Sequence, residues 1–449
     1  MAYTHTTRST FRSELALRLH DSSLVYWGTT ELNDIIDETL LTWGAVSEYW
    51  KDQQSFNTVA STVFYDLRSN ISTLVPAKSD TDLTRTIQAH LLEPNPGTSW
   101  TGTEMWTLAQ VTAALQRRRN QFLLETGQIV VRTTQAVASF PSNGRVALTG
   151  DTTLAVRRVG WTNAVGDVHV LYRSDEFGVS GWDSTWTTAG SEEPETWSVY
   201  SSPTDTLQLM PVHNAAGTLD LLLIQAGATL DPSAGVGLGV MENWVWVIKW
   251  GAMADLLGKD GPGRDPIRAQ YCEQRYREGV ELAKISGVVL SARIGTTLVN
   301  PTPLTAADRD DPYWQGKSAG TPTDLLIASS NLVALRKVPD GVYAVTLDVV
   351  RNAPYPTTDG AYIDVAPDHL DLLLDYAEHL AAFKMGGVEW KATQRGMENF
   401  MLQAARHGRR DRAEAILLAN GRRDLSQRES NYVPREQSEG APGQSAERY

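Results

Sequence analysis

The sequence predicts an α+β protein: an N-terminal helical domain, then two tandem copies of a unit built from strands, a hairpin and two helices, then a flexible C-terminal arm. Three observations carry this. Two stretches repeat one another at a fixed spacing, each holds apolar residues alternating with period two, and each then runs into apolar residues at helical spacing. At 449 residues the chain exceeds the size at which a single core usually stops growing, so several structural units are expected.

Residues 1–144 read as a mainly helical domain with short strands. "FRSELALRLHD" forms a short amphipathic helix. "TTELNDIIDETLLTWGAVSEYW" forms a longer one, with Leu32, Ile35, Ile36, Leu40, Trp43 and Val46 near helical spacing and Glu31 in the first turn, where the helix dipole favours an acid. A related opening recurs at Trp100, "WTGTEMWTLAQVTAALQRRRNQFLLETG", with Glu104 expected in its first turn and Gly127 as the stop. Between them, "FNTVASTVFYDL" reads as strand and "PNPG" as a break, giving an insertion-like middle at 50–100.

The repeat begins after this. Trp186 and Trp314 differ by 128, and so do Pro194 and Pro322, Val199 and Ile327, Leu207 and Leu335, and Pro211 and Pro339. The spacing then drops to 124, pairing Gly217 with Gly341 and the alternating Leu219, Leu221 and Leu223 with Tyr343, Val345 and Leu347. Asp340-Gly341 between alternating runs is a hairpin signal, and a length change there is tolerated at low cost. Each copy next turns helical. "DHLDLLLDYAEHLAAFKMGG" puts Leu370, Leu373, Leu374, Ala377, Leu380 and Ala381 on one face, and Trp250 of "MENWVWVIKWGAMADLLGKDG" stands where Tyr376 does. Second helices follow, with Tyr276 against Phe400, so the copies are placed at 145–284 and 285–408. The segment 409–449 ends polar and rich in Pro and Gly, and reads as an arm without a core.

Composition narrows the function classes. The chain is 41% hydrophobic, and no window reaches the roughly 18 apolar residues of a membrane span; the nearest, 239–257, carries Glu242, Lys249 and Asp255. The N-terminus is polar and lacks a signal core, which argues against secretion. One cysteine, Cys272, excludes an intrachain disulfide and reads as a small buried hydrophobe. With 53 acids against 40 bases the net charge is −13, a balance that disfavours tight wrapping of nucleic acid.

A search for chemistry returns little. Eight scattered histidines show no metal-ligand spacing, so no metal and no cofactor is expected. "DRDDPYW" at 308–314 is the densest acid cluster and reads as turn chemistry rather than a cation site. "GVGLGVMENW" has Met241 where a dinucleotide fingerprint needs its third glycine, and no nucleophile elbow occurs, so an enzyme is not expected. Arg117, Arg118 and Arg119 form the one compact basic run in a helix, and read as a solvated face with local ion pairs or as a contact for an acidic partner. Trp186 and Trp314, at matched places, read as core.

Trp27, Glu31, Leu32, Ile36, Glu38, Leu41 and Trp43 in the N-terminal passage, with Trp186, Pro194, Leu207, Leu209, Pro211 and Gly217 later, give a pattern that resembles bacteriophage head-to-tail adaptor proteins, the connector or tail-tubular type of short-tailed phages. The resemblance covers about 10–290, and departs from the family in the middle at 50–100 and in the second copy. It implies a structural virion protein of the head-tail junction: a homo-oligomeric ring of twelve subunits docked under the portal protein, a lower face for tail nozzle or fibre proteins, and double-stranded DNA passing through the lumen without specific binding. By the same resemblance the arm docks on the portal, which makes Arg409, Arg410, Arg422, Arg423, Tyr432 and Tyr449 candidate partner contacts beside Arg117, Arg118 and Arg119. Other readings are a tail nozzle, collar or fibre-attachment component, a glycan-binding tail protein, or an enzyme with an unrecognised site.

Overall fold

Local sequence sets the helix ends. Thr7, Ser79 and Thr107 each accept a backbone N–H with the side chain at a helix start, and Ser79 and Thr107 complete capping boxes with Asp82 and Gln110. The computed structural model describes residues 5–92, 105–138, 143–148, 152–188, 190, 192–201, 205–213, 215–408 and 410–420. The chain opens with α1 (Arg8–Arg18), α2 (Thr29–Ser47), β1 (Lys51–Asn57), β2 (Phe64–Asp66) and the one-turn α3 (Leu67–Asn70). It continues through α4 (Asp80–His90), α5 (Leu108–Thr126), β3 (Val131–Val137), β4 (Arg145–Ala147), β5 (Thr153–Asn163), β6 (Val168–Arg173) and α6 (Glu176–Trp182). Then come β7 (Thr196–Ser201), β8 (Asp205–Met210), β9 (Gly217–Gln225), α7 (Val245–Gly258) and α8 (Pro266–Ile285). The last part holds β10 (Val289–Ile294), β11 (Thr297–Val299), β12 (Pro301–Pro303), α9 (Leu304–Asp310), β13 (Asp324–Ile327), β14 (Leu332–Arg336) and β15 (Ala344–Val350). Helices α10 (Leu370–Ala382), α11 (Gly387–His407) and α12 (Asp411–Ala419) close it. The fold is α+β.

The strands assemble twice in one order. One seven-stranded sheet runs β3-β9-β5-β6-β7-β8-β4; two four-stranded sheets, β1-β15-β10-β11 and β12-β13-β14-β2, repeat the order between them, so that β11 and β12 together take the place of β6. Both carry a parallel pair at the same point, β6 with β7 and β12 with β13. Both carry a register shift at the same point, between Val156 and Arg158 on β5 and between Val289 and Ser291 on β10. Side chains from all seven strands of the first sheet, from Val137 and Val146 to Trp161, Trp197, Leu209 and Leu221, meet in one core, so the sheet rolls on itself.

This order overturns the expected layout of a helical domain at 1–144 followed by copies at 145–284 and 285–408. Helices α1 and α2 with β1 and β2 belong to the last third of the chain: β1 pairs with β15 and β2 with β14. Helices α4 and α5 with β3 and β4 belong to the middle: β3 pairs with β9 and β4 with β8. An inner unit (80–285) is thus nested in an outer unit (8–66 with 289–407). The physical reason is edge pairing, because a sheet end without a partner exposes a row of backbone donors and acceptors. The described part of the 50–100 middle is no insertion; it supplies β1, β2 and α4, the counterpart of α1. Both of these short helices have 11 residues, and both of the long helices that follow, α2 and α5, have 19. The long ones end alike, on a left-handed Glu48 or Gly127 79 positions later.

The spacing also needs revision. Trp186 and Trp314 are both buried, and each indole donates to a side chain six residues earlier, Ser180 Oγ at 2.9 Å and Asp308 Oδ1 at 2.8 Å. Spacing 128 holds through Val199 and Ile327, which face Leu207 and Val333. Leu207 therefore matches Val333, not Leu335, because the inner hairpin is two residues longer. The same correction moves Gly217 onto Tyr343, and Leu219, Leu221 and Leu223 onto Val345, Leu347 and Val349, at a common spacing of 126. Trp250 and Tyr376, both fully buried, keep it.

Candidate functional site

The two units meet along a seam of helices. Outer helix α2 lies in the groove between inner α7 and α8, α10 lies against α8, and α7 is apolar but for Lys249 and Asp255 because it is enclosed by its neighbours. Within this seam Glu38 of α2 forms an ion pair with Lys249 of α7 and accepts the Trp250 indole N–H at 3.0 Å. Lys249 also sits over the Trp250 ring, 4.2 Å from its centroid. Burial lowers the Lys249 pKa, and Glu38 works against that.

Further along, α8 of the inner unit reaches α10 and α11 of the outer one. Thr393 donates to Trp390 O at 2.8 Å, so it accepts from His379 Nδ1 at 2.9 Å, which leaves His379 Nε2 to accept from the Tyr271 hydroxyl at 2.6 Å. Arg275 donates to the Tyr376 hydroxyl and pairs with Glu278 at 3.0 Å. Burial pushes Tyr376 up to about 12. The sheets join too. Arg158 of β5 makes two bonds to Asp308 of α9, at 2.8 and 3.0 Å, and Val170 of β6 donates to Pro312 O. The acid cluster at 308–314 is therefore an anchor between units, with Asp308 bound to Arg158 and Asp311 to Lys317 and Arg336. Among the described residues no group of three or more His, Cys, Asp or Glu side chains is placed to hold a metal ion.

The seam is heterologous: the outer unit contributes α2, α9, α10 and α11, while the inner unit contributes α7, α8, β5 and β6. A contact of this kind uses different faces of two like bodies, and each body keeps one counterpart face unused. In the outer unit the counterpart of the α7/α8 groove lies between α10 and α11. It is an open cleft of about 560 Å³ lined by Asp375, Glu378, Ala392, Thr393, Arg395, Gly396 and Asn399. Asp375 stands where Lys249 stands, 126 residues on. In the inner unit the counterpart of the α2 face is the α5 stripe through Ala113, Arg117 and Leu124, three exposed residues. Arg117 stands where Glu38 stands, 79 residues on.

The basic run divides. Arg117 is 61% exposed and pairs with Asp255. Arg118 and Arg119 are buried, which corrects their reading as a solvated face: α5 packs against α4, α7 and α8 and leaves little open surface. Arg118 bridges Asp255 at 2.6 Å and Glu273 at 2.8 Å. Arg119 donates to the carbonyls of Ala228 at 2.7 Å and Gly227 at 2.9 Å, and burial lowers it to about 10. Arg410 is no free contact either; it donates to the Ala45 and Val46 carbonyls at the end of α2 and pairs with Glu48 at 3.1 Å. Arg409, Arg422, Arg423, Tyr432 and Tyr449 lie outside the described residues, as does Glu104. Sequence reasoning did not single out Asp375, Arg395 or Asn399. The signal available was the helix spacing of 126, which sets Asp375 against Lys249.

No protein-family model and no curated protein matches this chain. No helix among the described residues is long and apolar enough to cross a membrane.

Proposed function

We propose that this protein is a structural virion component, the head-to-tail adaptor of a short-tailed bacteriophage. It forms a homo-oligomeric ring at the neck, docks under the portal protein, and offers its lower face to tail nozzle or fibre proteins. Double-stranded DNA passes through the lumen without specific binding, which a net charge of −13 favours over retention. The observation that carries the reading is the heterologous seam with both counterpart faces open, since repeated head-to-tail contact generates a ring where its rotation closes. The residues behind the family resemblance support it. Trp27, Leu32, Ile36, Leu41 and Trp43 are buried around α2, and Glu38 lies in the seam.

Negative-stain electron microscopy of the full chain, alone and mixed with the portal protein encoded beside it, tests this. A ring seated on the narrow end of the portal is expected. Binding to isolated tails with none to the portal would replace the adaptor reading with that of a tail component. Binding to neither would remove both.

A further inference from the structure

We propose that the α5 stripe of one chain docks in the α10/α11 cleft of a second copy, with Arg117 of one chain against Asp375 of the next. The inference rests on the ring reading above and names its contact. The inner seam supplies the template: α2 in the α7/α8 groove, closed by Glu38 against Lys249. Transferring that template to the counterpart faces puts position 117 opposite position 375. Both charges have changed sign between the copies, acid to base on the long helix and base to acid in the groove, and the attraction is kept.

Exposure follows the same logic. Asp375 is 37% exposed and Arg117 61% exposed, whereas Lys249 and Glu38 are 2% and 7% exposed. Leu124 on the stripe is 48% exposed, and Ala45 at its place on α2 is 2% exposed. The sheet side agrees. Val170 on β6, covered by the 312–313 segment of the outer unit, is 7% exposed, and its counterpart Leu298 on β11 is 62% exposed. Each open position has a covered twin across the internal repeat. In the single chain Asp375 pairs with Arg18, which also reaches Asp371 and Glu378, and Arg117 pairs with Asp255. Glu378 beside Asp375 makes the cleft acidic where Arg117 enters, and Arg395 on α11 is the base on the opposite wall. Exposed ion pairs contribute little affinity but set register and reject wrong partners.

Charge reversal tests the contact on the full chain by sedimentation velocity. Arg117→Glu and Asp375→Arg are each expected to weaken self-association about tenfold or more. Their combination restores it, and Leu298→Arg weakens it without rescue by either. Thermal melts followed by circular dichroism establish that each variant is folded. A second readout uses Arg117→Cys with Asp375→Cys and a short bismaleimide. It is expected to give a ladder of linked chains, which neither single cysteine gives, since the native Cys272 is buried. A wild-type chain that stays single at high micromolar concentration overturns the proposal, as do unchanged association of the reversals or absence of a ladder. Portal binding is read separately, so loss of the adaptor reading and loss of this contact are distinguishable.

Discussion

Removing one partner of the Glu38–Lys249 pair exposes how the seam is held. In Glu38→Leu the Lys249 ammonium, with its side chain 2% exposed, keeps no carboxylate, and the Trp250 indole N–H loses its acceptor. Breaking a buried pair from one side costs about 3–5 kcal/mol, and an orphaned buried donor adds about 1 kcal/mol. Lys249→Met leaves a buried carboxylate with the indole alone, at about 3 kcal/mol. In Glu38→Leu with Lys249→Met both charges leave together, and apolar replacements of similar volume are expected to be near neutral. With single losses of about 4–6 and about 3 kcal/mol and a double variant near neutral, the coupling energy is about 7–9 kcal/mol. Urea unfolding followed by circular dichroism measures all four proteins, with the common m-value as the check that one transition is being compared. Single variants that cost under about 1 kcal/mol and simply add would refute the reasoning, because the pair would then be solvated.

Gly217→Ala places a methyl 2.2 Å from the Trp161 ring and 2.8 Å from the Thr162 carbonyl, so a loss of about 1–3 kcal/mol in urea unfolding is expected. Burial, then the Lys249 charge, hold the His90 imidazole well below its ordinary range, so the native state keeps it neutral while the unfolded chain takes up a proton. Its contribution is present above about pH 6.5 and lost as pH falls, by up to about 1.4 kcal/mol per unit, and His90→Phe flattens that part of a stability profile. If the proposed ring keeps the twelve places that the resemblance implies and each nested unit fills one of them, six chains of 49.4 kDa close it, and native mass spectrometry is expected to find six rather than twelve.

Much of the fold is legible in the sequence where it is local. The helices around Leu373 and Trp250, the matched Trp186 and Trp314, and the strands around Val345 all form as the pattern dictates. Two things were not. The partner of β1 lies about two thirds of the chain away, Lys51 against Val350, and nothing in an alternating strand states which edge it joins. The two-residue hairpin difference was hidden because strands repeat with period two: a slip of one residue flips every side chain, but a slip of two keeps Leu219 and Leu221 in phase with either set of partners. The proposed assembly faces were partly visible, in Arg117. Asp375 gained meaning only when the sheets fixed the correspondence between units, since an acid at a helix surface is ordinarily a solvated residue.

The nested order also explains why the proposed seam between chains differs in chemistry from the seam within one chain. The seam between units of one chain forms at the high effective concentration of a linked pair, without the loss of translational freedom that association requires. It is never exposed in the folded protein, so it tolerates a buried ion pair, a relay through Tyr271, His379 and Thr393, and the apolar face of α7. In the proposed ring the counterpart faces remain in water until a second chain arrives. There an apolar groove would invite indiscriminate contact, whereas Asp375, Glu378 and Arg395 around a cleft keep it hydrated and admit a basic stripe by charge. In such a ring every second seam is built into the chain, and only the alternate ones have to be found by collision.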